Sequence, residues 1–390
     1  MKTKASIFFI LLHASKNSWS NAHEQAAPEE CPDKASLTTM ARGGQYAAAS
    51  ISQQESYRHL FPEIASGVEK ISLSSGQNTP IALADYGAAD CLATRYLLEY
   101  ITDNVPNVKI DAMVNDQVSN DWDICAQHLS PTGKLKDLSS IKDVTLQNRK
   151  NIELFSNPGS FTTQLLPNGS VDISTSGTAF HWLSPSNLPR PGTFRVTSPN
   201  VNDHALLAAW KEHSANDWKN ICKSRHAELK QGGYFFAIIP SMTVDGRETY
   251  DVLLNTIFDP LLDAWVQEGK LSAEVRRNIF APAYARTLVE LKAGMDEYFD
   301  IVTMDEVVMA NPYLEGISLD KEQDRKLFAQ RYVDSIFAWA HNMLLNAFGG
   351  DEDLVAKFKT ELVEGVVARA EEFENDFVSA AIVAVKKNDT

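Results

Sequence analysis

A doubly wound α/β fold is predicted for this chain, and three observations carry that expectation. Short apolar runs of strand length alternate with segments of helical spacing, the strand runs are nearly continuously apolar as strands buried on both faces are, and 390 residues at 44% hydrophobic composition can bury a large core. Ile81 to Ala84 is a short apolar strand, followed at helical spacing by Leu92 to Ile101, and Val108 to Val114 is a second strand. Ile152 to Phe155 and Val171 to Ser174 are short strands flanking a Pro-Gly turn. Ala205 to Lys230 has the spacing of a long amphipathic helix, stopped by Gly232-Gly233, and Tyr234 to Ile239 is a buried strand. From Val252 to Leu291 the pattern is helical, interrupted at Pro260, Gly269 and Pro282, and Tyr298 to Met304 returns to strand. Glu322 to Phe348 and Leu354 to Phe373 are helical, and Val378 to Val385 is a final strand. The division that follows is a leader over 1–37, an α/β core over 38–250, a helical cap over 251–295 and 312–375, and closing strands over 296–311 and 376–390.

The formal net charge of −15, from 36 Lys and Arg against 51 Asp and Glu, repels phosphate backbones and makes nucleic acid a poor partner. Cys31, Cys91, Cys125 and Cys222 stand far apart, without a Cys-x-x-Cys pair or a His at ligand spacing. No metal site is indicated, and the four are expected to be reduced thiols. Lys2 and Lys4 precede the apolar run Ala5 to Leu12, and Ser20-Asn21-Ala22 has the form of a cleavage site. A targeting peptide and a flexible leader both remain open. The run is too short to span a membrane, so stable membrane insertion is not expected.

The most informative stretch is Asn157 to Ser184, which sets Pro158-Gly159-Ser160-Phe161 between two strand runs, continues through Leu165-Leu166-Pro167 and ends in His181-Trp182-Leu183-Ser184. This ordered set resembles the signature of the SABATH methyltransferases, which methylate small carboxylic acids and some purine nitrogens. The resemblance covers roughly Gln45 to Lys386, sharpest before Met242. It implies a mostly parallel seven-stranded methyltransferase sheet roofed by a helical cap, with the last strand antiparallel at the edge. S-adenosylmethionine is the implied cofactor, and its cytosolic synthesis favours a cytoplasmic location. The implied partner is a small carboxylic acid; a homodimer is left open.

Residue by residue, the cofactor expectation begins at Ala84-Asp85-Tyr86-Gly87-Ala88-Ala89-Asp90, where an apolar strand ends in an acid and a Gly that permits close ligand approach. This is similar to the family's Asp-x-Gly loop in its microbial and algal form, although Cys91 stands where a second Gly is common. Asp116 closes the second strand, where an acid accepts ribose hydroxyls; the neighbouring Gln117 departs from the family's Leu and could still contact the adenine. Asn120-Asp121 is expected to be a helix cap. Ser160 and Phe161 offer a hydroxyl and an aromatic wall to the adenine. Tyr46 to Gln53 resembles the family's opening Tyr-x-x-x-Ser helix, in which Ser50 would bind the methionine carboxylate and Gln53 the acceptor carboxylate from one helix face. Trp182 has an indole donor and a flat face to orient a carboxylate, with His181 as a second donor. Thr178 stands where several family members have Tyr, and Phe180 replaces a frequent Leu, which leaves the acceptor's shape open.

Methyl transfer to a carboxylate needs no general base, because an acid of reference pKa about 4 is already ionised at neutral pH. The expected reaction is methyl ester formation by positioning alone, with no catalytic side chain and no metal. N-methylation of a small heterocycle and a non-catalytic small-molecule-binding relative are the alternatives. A nicotinamide oxidoreductase is disfavoured because Gly-x-Gly-x-x-Gly is absent.

Overall fold

The computed structural model describes residues 40–75, 79–129, 151–373 and 377–388; the leader and Cys31 lie outside them. Seven strands form one sheet in the order β3-β2-β1-β4-β5-β7-β6. They are β1 (Ile81–Tyr86), β2 (Ile110–Asp116), β3 (Ile152–Pro158), β4 (Val171–Gly177), β5 (Leu229–Pro240), β6 (Phe299–Met309) and β7 (Phe377–Lys386). β1 to β5 run parallel, and β7 pairs antiparallel with both β5 and β6. β1, β2 and β4 are buried along almost their whole length, which is why they read as unbroken apolar runs. Edge strand β3 alternates between half-buried and exposed positions and ends on Pro158, whose missing N–H an edge tolerates.

The helices are α1 (Gln45–Ala49), α2 (Ile51–Arg58), α3 (Phe61–Ser75), α4 (Leu92–Asn104), α5 (Trp122–Leu129), α6 (His204–Glu228), α7 (Asp251–Leu253), α8 (Asp259–Gln267), α9 (Ala273–Asn278), α10 (Leu288–Met295), α11 (Glu322–Ala347) and α12 (Glu352–Val367). α7 continues through a π-helical turn at Leu254–Phe258 into α8. One sheet face is covered by apolar residues of α2 to α5, including Ile64, Leu97 and Ile101. The other receives Trp218, Ile221 and Cys222 of α6 with Leu291 and Met295 of α10. A third core, built from Leu254, Phe258, Trp265, Tyr332, Ile336 and Phe358, holds α7, α8, α11 and α12 together as a separate helical layer.

Four expectations are corrected. The last strand, β7, is antiparallel but does not form the sheet edge: it lies between β5 and β6, and β6 is the edge strand. α6 ends at Glu228, and Gly232-Gly233 lie inside β5, where the β4–β5 register shifts between Val171 and Ile173. A Cβ on Gly233 would sit 2.9 Å from the Lys230 carbonyl and 3.0 Å from that of Asp172, so Gly233 makes a close backbone approach at a bulge, Gly232 turns the chain there at φ +74°, and neither stops the helix. Tyr46 to Gln53 is not one continuous helix: Ser50, at φ −89° and ψ 40°, breaks it between α1 and α2. Cys91 and Cys125 are joined as a disulfide, with Cα atoms 4.8 Å apart, because the left-handed turn at Cys91 sets the start of α4 against α5. Cys222 is a buried free thiol.

A buried ion pair ties the Pro-Gly-Ser-Phe turn to the sheet. Glu228 accepts from Arg225 Nε at 2.6 Å, from the Tyr86 hydroxyl at 2.6 Å and from the backbone N–H groups of Leu165 and Leu166 at 2.6 and 3.0 Å. Arg225 in turn donates to the carbonyls of Phe161 and Thr163 and stacks 3.8 Å from the Tyr86 ring centroid. Removing one partner of such a pair leaves the other charge buried and uncompensated. Glu228→Ala is expected to lower the unfolding free energy by about 3–5 kcal/mol in urea titrations. A loss below about 1 kcal/mol would show that the pair does not anchor this turn.

Candidate active site

In an open sheet with this strand order the crevice lies at the carboxyl ends of β1 and β4, where the crossovers diverge. Gly87 follows β1 at φ +74°, and a Cβ built on it would fall 2.2 Å from the Cβ of Ala179, which follows β4. No other residue fits there. The turn is held by Gly87 and Ala88 N–H groups donating to the Asn115 carbonyl at 2.9 Å. Asn115 also donates from Nδ2 to the carbonyls of Asn157 and Gly159, so the loops after β1, β2 and β3 form one hydrogen-bonded rim.

Two cavities open at this rim. The first is lined by Tyr46, Gln53, Gln54 and Tyr57 from α1 and α2 with Ser50 between those helices, by Asp85 of β1 and Gly87 to Asp90 after it, by Ala93 and Thr94, and by Gly177 and Thr178. Asp85 is buried and accepts from Tyr57 Oη at 3.1 Å and Thr94 Oγ1 at 2.6 Å. Burial pushes its pKa up to about 7, against the lowering effect of those two bonds. Tyr57 is fixed by packing on Gly177, where a Cβ would meet its ring at 2.6 Å. Tyr46 has its hydroxyl raised in pKa, first by burial and then by the charges of Asp90 and Asp116.

Asp116 lies just beyond the lining. Its Oδ2 accepts from Ala89 N–H and its Oδ1 from Gln117 N–H, each at 2.7 Å, and burial lifts its pKa to about 6. A carboxylate has about four lone-pair sites, so each oxygen keeps capacity for a ligand hydroxyl. Ser160 is exposed and shares a 2.8 Å bond with Thr162, while Phe161 packs edge-on to Phe180 beside Gly87. Asp116, Gln117, Ser160 and Phe161 therefore flank the first cavity without lining it. Of the expected caps, Asp121 takes that role through Ile124 N–H at 3.3 Å, and Asn120 instead donates to the Ala89 carbonyl at 2.6 Å.

The second cavity is enclosed by aromatic groups, Trp182, Tyr250, Trp339 and Phe377, with His181 and Met40 on its wall. Trp182 meets Trp339 edge-on at 5.8 Å, and the His181-Trp182 pair is pinned by the bond from Tyr284 N–H to the His181 carbonyl. Burial, followed by the nearby Arg286 charge, lowers the His181 pKa to about 3. Both effects favour the neutral imidazole through the neutral pH range. Tyr46, Gln53 and Thr178 line both cavities.

Sequence reasoning assigned no role to Thr178, Tyr57, Tyr250, Trp339 or the ion pair Arg195–Glu248. Thr178 is a β-branched residue at φ +60°, a conformation held by its N–H bond to the Ile238 carbonyl at 2.7 Å. A β-branched residue in left-handed backbone is rare enough to mark functional ground. Nothing in the amino-acid string announces that backbone.

The sheet and its rim define a methyltransferase-type α/β fold: the solved loganic acid methyltransferase with SAH superposes with a TM-score of 0.71 over 90% of this chain and 99% of that one, at 17% identity. A profile described as SAM dependent carboxyl methyltransferase matches residues 37–388, and the chain belongs to that family. Relatives include methyltransferase LUC1 of Fusarium sp, 23% identical over 76% of this chain and 79% of the relative. Indole-3-acetate O-methyltransferase 1 of Arabidopsis thaliana is 24% identical over 64% of this chain and 69% of its own length. The protein is an S-adenosylmethionine-dependent carboxyl methyltransferase. Among the described residues no helix is long and apolar enough to cross a membrane.

Asp85 gives a sharp electrostatic test. Its folded pKa of about 7 stands above the usual carboxylate value near 4, so the folded state holds its proton over that interval and ionisation costs folding free energy as pH rises from about 4 to 7. Asp85→Asn, which still accepts hydrogen bonds, is expected to become more stable relative to the parent protein by roughly 2–4 kcal/mol between pH 4.5 and pH 8 without cofactor. Denaturation curves that shift equally at both pH values would contradict the placement.

Proposed function

We propose that the first cavity holds the methionyl half of S-adenosylmethionine and the second holds the acceptor acid, meeting where Tyr46, Gln53 and Thr178 line both. That shared lining is the observation that carries the proposal. The chemistry of the first cavity fits its ligand: Asp85, Asp90 and nearby Asp116 offset the ammonium and sulfonium charges, and Gly87 leaves room for close approach. Ser50, whose Oγ receives a 3.3 Å bond from Gln54, stands at the α1–α2 break for the methionine carboxylate. Asp116 would take the ribose hydroxyls, and Gln117, Ser160 and Phe161 would border the adenine.

In the second cavity Gln53 and Trp182 would orient the acceptor carboxylate, with neutral His181 as a further donor. Gln53 Oε1 already accepts from Ser52 Oγ at 2.8 Å, which leaves its amide hydrogens to donate. The cofactor supplies an activated methyl group. The protein's part is to hold the carboxylate in line with it and exclude water, a contribution that reaches about 7–11 kcal/mol when geometry is good. Relatives are named for indole-3-acetate, gibberellic acid and salicylate/benzoate, and an acid with a flat apolar body fits the aromatic walls here.

Asp116→Ala is expected to weaken S-adenosylmethionine and S-adenosylhomocysteine alike, by about 1.5–3 kcal/mol in calorimetry; unchanged affinity would refute the ribose assignment. Gln53→Leu or Trp182→Phe should raise the acceptor KM or lower kcat by roughly ten- to a hundredfold, about 1.4–2.8 kcal/mol, with donor affinity nearly constant in Trp182→Phe, whose side chain lines the second cavity and not the first. At saturating donor kcat/KM should fall below about pH 5 as the acceptor protonates and stay flat from about pH 6 to 8, since His181 does not titrate there. A steep neutral-pH rise that disappears in His181→Ala would instead make His181 a base.

A further inference from the structure

The part of the acceptor cavity that does not face the cofactor carries an unexpected charge cluster. Arg195, Ser241, Glu248 and Thr249 line the second cavity and not the first. Arg195 Nη1 donates to Glu248 at 2.7 Å and to the Thr249 carbonyl at 3.0 Å, and its Nη2 donates to Asp251 at 2.8 Å. Arg195 is 8% exposed, Glu248 5% and Ser241 1%. A buried ion pair against an aromatic wall is seldom worth more than an apolar replacement of the same volume, so stability alone does not account for the cluster. Two polar atoms of these lining residues have no partner among the described residues: Arg195 Nε and Ser241 Oγ are both buried and unbonded. Each can donate a hydrogen bond, and unsatisfied buried donors are rare enough to require an explanation.

We infer that the acceptor is a monocarboxylic acid whose body carries a neutral accepting oxygen, a hydroxyl or a carbonyl, received by Arg195 and Ser241 on the wall away from the methyl donor. The inference rests on the preceding assignment of the second cavity to the acceptor. The oxygen is neutral because the cluster already sets two carboxylates, Glu248 and Asp251, against one guanidinium. A second carboxylate on the acceptor would meet excess negative charge at low dielectric. A purely hydrocarbon body would leave both donors unmet.

The test compares acids that share one body: phenylacetate, its 3- and 4-hydroxy and 4-acetyl derivatives, and 4-carboxyphenylacetate, each assayed with S-adenosylmethionine and the full-length protein. The best oxygen-bearing derivative is expected to exceed phenylacetate in kcat/KM by about tenfold or more, and the dicarboxylate to fall below phenylacetate. In Ser241→Ala and in Arg195→Lys, which keeps the charge but loses Nε, the ratio of substituted to parent acid should move toward one. Melting curves check that both variants are folded. Methylation of these acids with a ratio near one in the parent protein, or a preference for the dicarboxylate, overturns the inference and leaves the cavity assignment standing. No transfer to any carboxylic acid overturns both.

Discussion

The close approach of Gly87 to Ala179 is the constraint on which the site depends. Those two residues open the loops after β1 and β4, and their contact leaves no space for a Cβ on the first. It brings the acidic segment Asp85 to Asp90 against the Gly177-Thr178 turn, so the two cavities meet in one crevice. The neighbouring loops are then fixed by polar bonds: Asn115 ties the β3 turn, Asp116 ties Ala89, and the Arg225–Glu228 pair holds the backbone from Phe161 to Leu166 from beneath. A cavity edge set by backbone and buried side chains is the kind of preorganised surface that methyl transfer by orientation requires.

The electrostatics differ between the two cavities. The first cavity and its rim concentrate carboxyl groups that burial makes reluctant to ionise, Asp85 at about 7 and Asp116 at about 6. A cationic ligand favours their charged forms, so donor binding and their ionisation are linked. On the wall of the second cavity the imidazole of His181 is driven the other way, to about 3, and offers one N–H donor without a charge. This pairing suits an acceptor that arrives as an anion.

Much of the fold was legible because buried parallel strands are written as apolar runs, and β1, β2 and β4 are such strands. The Pro158 to Phe161 turn and the His181-Trp182 pair were legible as motifs. Features that depend on tertiary contact were not. The bulge at Gly232-Gly233 resembles a helix stop until the backbone of Asp172 is seen beside it, and the kink at Ser50 leaves no mark in a run of small residues. The Cys91–Cys125 bridge joins positions 34 apart that no spacing rule relates. Arg195 and Glu248 lie 53 residues apart, and only the folded cavity wall makes them one cluster.

The central claim is that a carboxylate oxygen, oriented by Gln53 and Trp182 at the junction of the two cavities, takes the methyl group. Incubating the protein with methyl-labelled S-adenosylmethionine and a panel of small carboxylic acids and nitrogen heterocycles, followed by mass spectrometry and alkaline hydrolysis of the product, tests it directly. The account predicts a labelled methyl ester of an acid that releases labelled methanol in base. Label retained after hydrolysis on a ring nitrogen, or no transfer to any acid, would contradict it.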